Sequence, residues 1–304
     1  MKKTESKEYN STSMNIAITG STGFIGSALM TRLATNSSIK LFPFDKNKYS
    51  FSLTHSLKDF VKNKDIIIHL TGETNTNLPE KCYEVNTLGT FHLLEALSLY
   101  GKSHTQFIFS SSFALYEESA KKEKLHEENT KTVPRNHYGM SKFFAEEFIN
   151  FYNRKHNMQT RILRISNPYG PGYKKNTPGI ISILIDKIQN GEVIKIDGDG
   201  TQLRDFIFID DVVQAFVNVL NYQKPSLIIN ICSGKETQLL TIIKKVEEIL
   251  KKKAILQFNK RYPEKGYWVG DSRKASREIN FNSRTDIDKG LQKTVNWYLN
   301  TKRI

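Results

Sequence analysis

A glycine-rich turn near the start of the chain constrains the fold more than any other feature. Asn15–Thr19 is a short apolar run, typical of a buried strand, and it leads directly into the sequence G-S-T-G-F-I-G. Apolar residues at helical spacing follow from Ser27. Gly20 permits a tight turn, Gly23 lets backbone amides approach a diphosphate, and Gly26 lets the helix pack against the sheet. The pattern predicts a dinucleotide-binding strand–turn–helix unit.

A carboxylate stands where such a unit would meet the adenosine ribose. The second predicted strand, Ile39–Phe44, ends at Asp45, which lies 25 residues after Gly20. A carboxylate at this point accepts hydrogen bonds from the ribose hydroxyls and repels a 2′-phosphate. Asp45 therefore favours NAD over NADP as the cofactor.

The rest of the first half alternates strands with helices. We predict strands at Asp65–Leu70, Thr105–Ser110 and Thr160–Ile165, and helices at Val85–Tyr100 and Ser141–Lys155. The unbroken isoleucine run of the first of these strands indicates burial on both faces, as in a parallel sheet. The sequence therefore predicts an α/β fold with a Rossmann-type doubly wound parallel sheet.

The regular alternation of strands and helices ends after residue 166. A turn-rich segment, N-P-Y-G-P-G, is followed by shorter elements with no long linker. We predict a disordered polar tail at 1–13, an NAD-binding domain at 14–166, and a smaller α/β substrate-binding lobe at 167–304. The second lobe is expected to be interleaved with the first domain.

A tyrosine and a lysine are spaced to share one face of a helix. Tyr138 and Lys142 form Y-x-x-x-K, and the ammonium group would favour the phenolate form of a tyrosine that must act as a base. Ser110, Ser111 and Ser112 end an earlier strand, and hydroxyls at the carboxyl edge of such a sheet face the ligand crevice. The glycine-rich turn, the serines and the Tyr138/Lys142 pair are consistent with one another in chain order and in strand placement. Together they predict a Ser/Tyr/Lys catalytic site.

These motifs together resemble those of one enzyme family. The sequence is similar to the extended short-chain dehydrogenase/reductases that act on nucleotide sugars, typified by UDP-glucose 4-epimerase, over about residues 15–299. The matching segments are T-G-S-T-G-F-I-G, H-L-T-G, E-V-N-T-L-G-T, S-S-S-F-A-L-Y, N-P-Y-G-P-G and G-D-G-T-Q-L-R-D-F-I-F-I-D-D-V.

The resemblance implies a set of site residues. It places catalysis on Ser112, Tyr138 and Lys142. It implies that substrate contacts come from Ser112, Asn167, Arg204 and Arg261, the arginines holding the diphosphate through their bidentate fork. The implied NAD contacts are Gly20, Thr22, Gly23, Phe24, Ile25, Gly26, Asp45, Leu70, Thr71, Gly72, Asn86, Ser110, Tyr138 and Lys142.

The resemblance also implies an activity, and two alternatives stay open. The expected reaction is 4-epimerisation of a nucleotide sugar, of the UDP-glucose/UDP-galactose type, by transient oxidation at C4. Phe113 and Ala114 stand where the family's 4,6-dehydratases carry Asp-Glu, which argues against dehydration. The first alternative is an NAD(P)H-dependent reductase of a nucleotide 4-keto-6-deoxysugar, and the second is an NAD-binding sensor without activity. Family members often pair two helices across a dimer, so a homodimer is expected.

Composition excludes several other classes. Lys plus Arg number 45 against 31 for Asp plus Glu, a net charge of +14 that invites a nucleic-acid interpretation. No nucleic-acid motif supports it, so nucleic acid is not an expected partner. Two cysteines 150 positions apart and dispersed histidines predict no metal site. The apolar runs are far shorter than the ~20 residues of a membrane span, and the first thirteen residues lack a signal-like apolar segment, so we expect a cytoplasmic protein.

Overall fold

The computed structural model describes residues 13–117, 126–173, 179–259 and 266–301. The predicted tail therefore lies almost wholly outside the described residues, as does Arg261. The strands are β1 Met14–Thr19, β2 Ile39–Pro43, β3 Ile66–His69, β4 Gln106–Ser112, β5 Gln159–Ile165, β6 Asn167–Tyr169, β7 Val193–Asp197, β8 Leu203–Phe208, β9 Ser226–Ile231, β10 Glu236–Gln238, β11 Ile255–Asn259 and β12 Tyr267–Trp268. The helices are α1 Phe24–Leu33, α2 Lys58–Val61, α3 Pro79–Cys82, α4 Gly89–Tyr100, α5 His137–His156, α6 Ile180–Asn190, α7 Ile209–Val219, α8 Leu239–Leu250, α9 Arg273–Ile279 and α10 Ile287–Thr301.

Six parallel strands form the main sheet in the order β2–β1–β3–β4–β5–β9. All four residues of β3 are buried, as its isoleucine run predicts. One face of the sheet packs in a core with α1 and α7, and the other face packs with α4 and α5. The predicted doubly wound α/β architecture is confirmed.

The order in which the chain adds strands to the sheet reverses at β1, because β2 and β3 lie on opposite sides of it. The chain passes from β1 to β2 on one side and then to β3 on the other side. In open α/β sheets the crevice at such a switch point, outside the carboxyl ends of the strands, is where ligands bind. The glycine-rich turn follows β1 at this point.

The residues after 166 build a second lobe and also contribute to the main sheet. Strand β8 pairs with β6, β10 and β12, while β7 pairs with β11. Strand β9 returns to the main sheet beside β5. The helix carrying Tyr138 begins at His137, four residues before its predicted start, and the predicted Val85–Tyr100 helix begins with a π-helical turn, Tyr83–Leu88. Within the described residues, no helix has the length and apolar run that a bilayer span requires.

Candidate active site

The glycine-rich turn forms a close-packed cradle at the carboxyl end of β1. Gly20 has a φ of +65°, and a Cβ atom there would lie 2.7 Å from the backbone of Leu70 and Thr71. A Cβ atom on Gly26 would lie 2.0 Å from the carbonyl oxygen of Gly20. Helix α1 begins at Phe24, so its first amides have no intrahelical acceptor and can bind an anion. These residues fit the diphosphate of a dinucleotide.

The other predicted cofactor residues border this cradle. Thr22 is exposed, while Phe24 and Ile25 are half-buried in the first turn of α1. Asp45 follows β2, and its Oδ1 atom accepts a hydrogen bond of 2.9 Å from the amide of Asn47. The carboxylate thus lies near the carboxyl end of β2, the edge at which open α/β sheets bind ligands.

Asn86 organises the segment that follows β3. Its side-chain oxygen accepts from the amide of Glu73 at 2.8 Å, and its amide group donates to the Glu73 carbonyl and to Ser141 Oγ, both at 2.8 Å. A Cβ atom on Gly72 would lie 3.2 Å from Asn86 Oδ1 and 3.3 Å from Lys142 Nζ. The side chain of Asn86 therefore shapes the wall beside Lys142.

Helix α5 is placed against the end of β4 by a glycine and a cap. Asn136 caps the helix by accepting a hydrogen bond of 2.8 Å from the amide of Gly139. A Cβ atom on Gly139 would lie 2.2 Å from the carbonyl oxygen of Ala114, so only glycine allows this approach. As a result, Tyr138 forms a hydrogen bond with Ser112. The Ser112 oxygen also accepts from the amide of Ala114 at 3.2 Å.

Lys142 lies buried one helical turn beyond Tyr138. Its Nζ atom donates to the carbonyl of Ser110 at 2.9 Å and lies 4.5 Å from the centre of the Phe109 ring. Burial lowers the pKa of Lys142 to about 8, and the carboxylate of Glu146 opposes that shift. Burial raises the pKa of Tyr138, and the hydrogen bond with Ser112 opposes it. The structure thus brings Ser112, Tyr138 and Lys142 together, and burial favours the neutral form of the Tyr138 phenol.

The predicted substrate residues of the second lobe are tied to its backbone. The side-chain amide of Asn167 donates to the carbonyl of Asp205 at 2.8 Å. The Arg204 guanidinium donates to the carbonyls of Leu203 at 3.0 Å and Gly266 at 2.9 Å. It also lies 4.9 Å from the centre of the Trp268 ring. The substrate-contacting role of Arg261 cannot be placed, since the residue is outside the described part of the chain.

A neutral hydrogen-bonded network, which the motifs did not reveal, lies beneath the cradle. Thr19 Oγ1 accepts from the amides of Leu70 and Thr71 at 3.1 and 3.2 Å and contacts His69 Nδ1 at 2.7 Å. His69 Nε2 contacts Thr90 Oγ1 at 3.1 Å, which donates to the carbonyl of Asn86 at 2.6 Å.

These contacts fix one direction of donation. The Thr19 hydroxyl oxygen accepts the two amide hydrogen bonds, so its own proton is donated to Nδ1 of His69. Because Nδ1 is then the acceptor, the neutral imidazole carries its proton on Nε2. Burial, followed by the charge of Lys142, lowers the pKa of His69 to about 3. We call Thr19, His69, Thr90 and Asn86 the neutral network. Thr19 and His69 are paired in register at the ends of the neighbouring strands β1 and β3, a contact that no sequence motif indicated.

A second network beneath the site contains a buried ion pair. Ser111 Oγ donates to Glu146, and Arg164 forms a bidentate pair with the same carboxylate, with Nη2 2.7 Å from Oε2. Arg164 also donates to the Tyr116 hydroxyl at 3.0 Å, which in turn donates to Asn230 at 2.7 Å. We call these five residues the charged network. Sequence analysis missed it, although Glu146 lies four residues after Lys142, on the same helix face.

Comparison with known proteins agrees with this geometry. The profile of the NAD dependent epimerase/dehydratase family matches residues 16–232. The chain belongs to this family. This epimerase/dehydratase-family enzyme therefore uses NAD, and the matched range contains the glycine-rich turn, Ser112, Tyr138 and Lys142.

Individual relatives of this family member differ in the reaction that their names give. A putative UDP-glucose 4-epimerase of Methanocaldococcus jannaschii is 29% identical over 95% of this chain and 99% of its own. A dTDP-4-dehydro-6-deoxyglucose reductase of Escherichia coli is 30% identical over 92% of this chain and 96% of its own. Among solved structures, UDP-glucuronic acid 4-epimerase from Bacillus cereus, in complex with UDP-glucuronic acid and NAD, is similar, with a TM-score of 0.81 at 25% identity, covering 95% of this chain and 100% of that one. Membership therefore establishes an NAD-dependent enzyme of the nucleotide-sugar epimerase, dehydratase or reductase type.

Proposed function

We propose that this enzyme is a nucleotide-sugar 4-epimerase that acts on a UDP-hexose. The observation that carries the proposal is the meeting of Ser112, Tyr138 and Lys142 beside a dinucleotide-binding turn in an NAD-dependent family. A phenol hydrogen-bonded to a serine, with an ammonium one helical turn away, suits the removal and return of a hydroxyl proton.

In the proposed reaction, Tyr138 is the base and then the acid. Its phenolate takes the proton of the sugar 4-hydroxyl, while Ser112 orients that hydroxyl. The cradle and Asp45 would hold NAD, which when bound would supply a positive charge that favours the phenolate and a hydride acceptor and donor for C4. The 4-keto sugar must turn over in the site between the two hydride transfers so that its opposite face receives the hydride. Tyr138 then gives the proton back to the C4 oxygen, so the net redox change is zero. Lys142 adds a second positive charge near the phenolate, against the burial that raises the pKa of Tyr138.

Two side chains next to Ser112 argue against dehydration. Phe113 and Ala114 follow Ser112 in the 3-10 turn against which Gly139 of α5 packs, and Phe113 is buried. Neither side chain can donate or accept a proton, so these positions cannot help to remove water from the sugar.

The proposed substrate fits the cationic groups of the second lobe. Asn167 lies two residues after the carboxyl end of β5 and donates to the carbonyl of Asp205, the residue next to Arg204. We propose that the sugar-nucleotide diphosphate extends from the catalytic residues toward these two side chains. We include Arg261 as a further diphosphate contact. A UDP carrier is proposed because the M. jannaschii relative is named as a putative UDP-glucose 4-epimerase and the B. cereus structure contains UDP-glucuronic acid.

The direct test is incubation of the purified enzyme with UDP-galactose, without added cofactor, followed by assay for UDP-glucose. Tyr138→Phe should lower kcat by about 10²–10⁴-fold, the usual contribution of a positioned acid–base group. Tyr100→Phe, at the end of α4, removes the same atom away from the site and should leave the rate unchanged. If no UDP-hexose or UDP-N-acetylhexosamine is interconverted even when NAD is supplied, the proposal is wrong.

One observation favours a second candidate, reduction of a nucleotide 4-keto-6-deoxysugar. The E. coli relative that is named as a reductase is 30% identical over nearly the whole chain, and the same three catalytic side chains can protonate a ketone oxygen. Stoichiometric oxidation of NADH or NADPH with a dTDP- or GDP-4-keto-6-deoxysugar would establish this activity in place of epimerisation.

We also propose a homodimer formed by α4 and α5. Leu88 and Leu99 are 50% and 59% exposed, and Phe144 and Phe151 are each 43% exposed. Leu88 ends the π-helical turn directly before α4, eleven residues before Leu99, and Phe144 and Phe151 are seven residues apart on α5. These spacings place each pair on one side of its helical segment, and α4 and α5 pack against each other. A second copy could cover these side chains. A light-scattering mass near 35.0 kDa at micromolar concentration would contradict the dimer.

A further inference from the structure

An aromatic pair joins the glycine-rich turn to the second half of the chain. The rings of Phe24 and Tyr173 are stacked, with centroids 3.6 Å apart and planes inclined by 16°. Phe24 is the first residue of α1, directly after the diphosphate cradle. Tyr173 follows the N-P-Y-G-P-G segment, whose first three residues form β6 after the end of β5. The contact therefore crosses the crevice at the carboxyl edge of the sheet.

The Tyr173 side chain is held in this position from three sides. Its hydroxyl donates to the carbonyl of Pro168 at 2.6 Å. A Cβ atom on Gly179 would lie 2.5 Å from the ring, so glycine is needed for the chain to pass there. Gly172, with a φ of +100°, supplies the turn that directs the ring toward Phe24. These contacts hold the Tyr173 side chain in one position within the second lobe. Its contact with Phe24 therefore does not depend on free rotation of an exposed side chain.

Tyr173 also lies close to the catalytic tyrosine. Burial raises the pKa of the Tyr173 phenol, and the negative charge that Tyr138 would carry as a phenolate raises it further. Tyr173 therefore stays protonated and can keep its hydrogen bond to Pro168 while Tyr138 changes its protonation state. The stack stands between the cradle on one side and the proton-transfer site on the other.

We propose that the Phe24–Tyr173 stack retains the bound dinucleotide, and that Tyr173 is a cofactor-retaining residue of this enzyme. Phe24 offers its backbone amide to the diphosphate and its ring to Tyr173, so the same residue binds the cofactor and joins the two lobes. A dinucleotide that leaves the cradle must pass the crevice that the two rings bridge. The rings must separate for that passage, and stacking slows the separation without preventing it.

Retention of the dinucleotide should matter for turnover if the enzyme is a 4-epimerase, and only this consequence rests on the proposed function. An epimerase returns the hydride to the same sugar and gains from keeping its cofactor, whereas a reductase must exchange its cofactor in every turnover. Loss of the stack should therefore make epimerisation depend on added NAD.

The test measures dissociation of NADH from the full-length enzyme, by stopped-flow fluorescence after addition of excess NAD. We expect Tyr173→Ala and Phe24→Leu each to raise the dissociation rate about tenfold, the size expected from loss of a stacked aromatic pair and its buried area. Tyr173→Phe keeps the ring and should stay within about twofold of the wild type, a change too small to represent loss of the stack. Phe258→Ala removes an exposed ring from β11 and serves as the matched control.

The double variant Phe24→Leu/Tyr173→Ala separates stacking from two independent effects. If the rings act on each other, the double variant should dissociate no faster than the faster single variant. Multiplied rates in the double variant, unchanged rates in both single variants, or a Tyr173→Phe rate equal to that of Tyr173→Ala would each overturn the proposal. No sugar is present in this assay, so the result is independent of whether the 4-epimerase activity is found.

Discussion

Two buried polar networks lie beneath the same catalytic edge, and they differ in charge. The neutral network joins β1, β3, the π-helical turn and the start of α4 through hydroxyls, one imidazole and a backbone carbonyl. The charged network joins β4, β5 and α5 through the ion pair of Glu146 and Arg164. Both are buried, and both reach toward Lys142, whose charge the proposed reaction uses.

The difference shows how one cation is kept charged in a buried site. His69 is neutral at physiological pH, so it adds no repulsion to Lys142. Glu146 contributes a negative charge that raises the pKa of Lys142 against the effect of burial. The two networks therefore act in the same direction on Lys142 by different means. We expect the charged one to carry more of the stability, because a buried charge that loses its partner is costly.

The largest effect is expected from Glu146→Ala. The substitution leaves the Arg164 guanidinium buried without its bidentate partner and removes the acceptor of Ser111. We predict a loss of about 3–5 kcal/mol in the free energy of unfolding, the usual cost of breaking a buried pair on one side. Urea denaturation followed by circular dichroism measures it.

The neighbouring Glu147 provides a matched control. It lies on the same helix but is exposed, so Glu147→Ala should change the free energy of unfolding by less than about 0.5 kcal/mol. Equal effects of the two substitutions would mean that the ion pair contributes no more than a surface carboxylate.

A smaller loss is expected from the neutral network. His69→Phe keeps a ring among Phe51, Phe107 and Phe109, whose centroids lie 5.7, 6.0 and 5.8 Å away. It leaves the Thr19 hydroxyl without an acceptor, which should cost about 1–3 kcal/mol. The same urea experiment at pH 7.5 measures the difference. A loss as large as that of Glu146→Ala would contradict the distinction between the networks.

The neutral network should also affect stability through pH. The pKa of His69 is about 3 in the folded chain and near 6.5 when unfolded, so the unfolded chain takes up the proton first as pH falls. This contribution is stabilising above pH 6.5 and is lost toward pH 3. Relative to His69→Phe, the wild type should lose about 1 kcal/mol between pH 6.5 and 5.5. Identical pH profiles of the two proteins would show that His69 is not held neutral.

The sequence predicts local features of this site better than long-range ones. The spacing of Gly20, Gly23 and Gly26 and that of Tyr138 and Lys142 are properties of a few consecutive residues, so a turn and one helix face could be predicted. Thr19 and His69 are 50 positions apart, and their contact depends on the register of two parallel strands. Register follows from packing of the whole sheet, which a single sequence pattern does not determine.

The surroundings of Asn86 and Tyr173 could not be predicted from the sequence either, for two different reasons. The resemblance named Asn86 as a cofactor-pocket residue, and that role stays a prediction. Its position in a π-helical turn, with both ends of its amide bound to Glu73, follows from an irregularity that helical periodicity does not reveal. The contact of Tyr173 with Phe24 depends on how the second lobe closes on the first, which is set by tertiary packing.

The smallest effect is a change in pH dependence that tests whether the charged network reaches the reaction. Loss of the Lys142 proton should lower kcat/KM on the alkaline side near pH 8, since the pKa of that group is about 8. Glu146→Gln removes the charge that raises this pKa but keeps an oxygen for Arg164, so the alkaline limb should move to lower pH. The measurement is kcat/KM with UDP-galactose from pH 6 to 9.5, with Glu147→Gln as the exposed control. If the limb stays in place in Glu146→Gln, the charged network stabilises the fold without tuning Lys142, and the two networks differ in function as well as in charge.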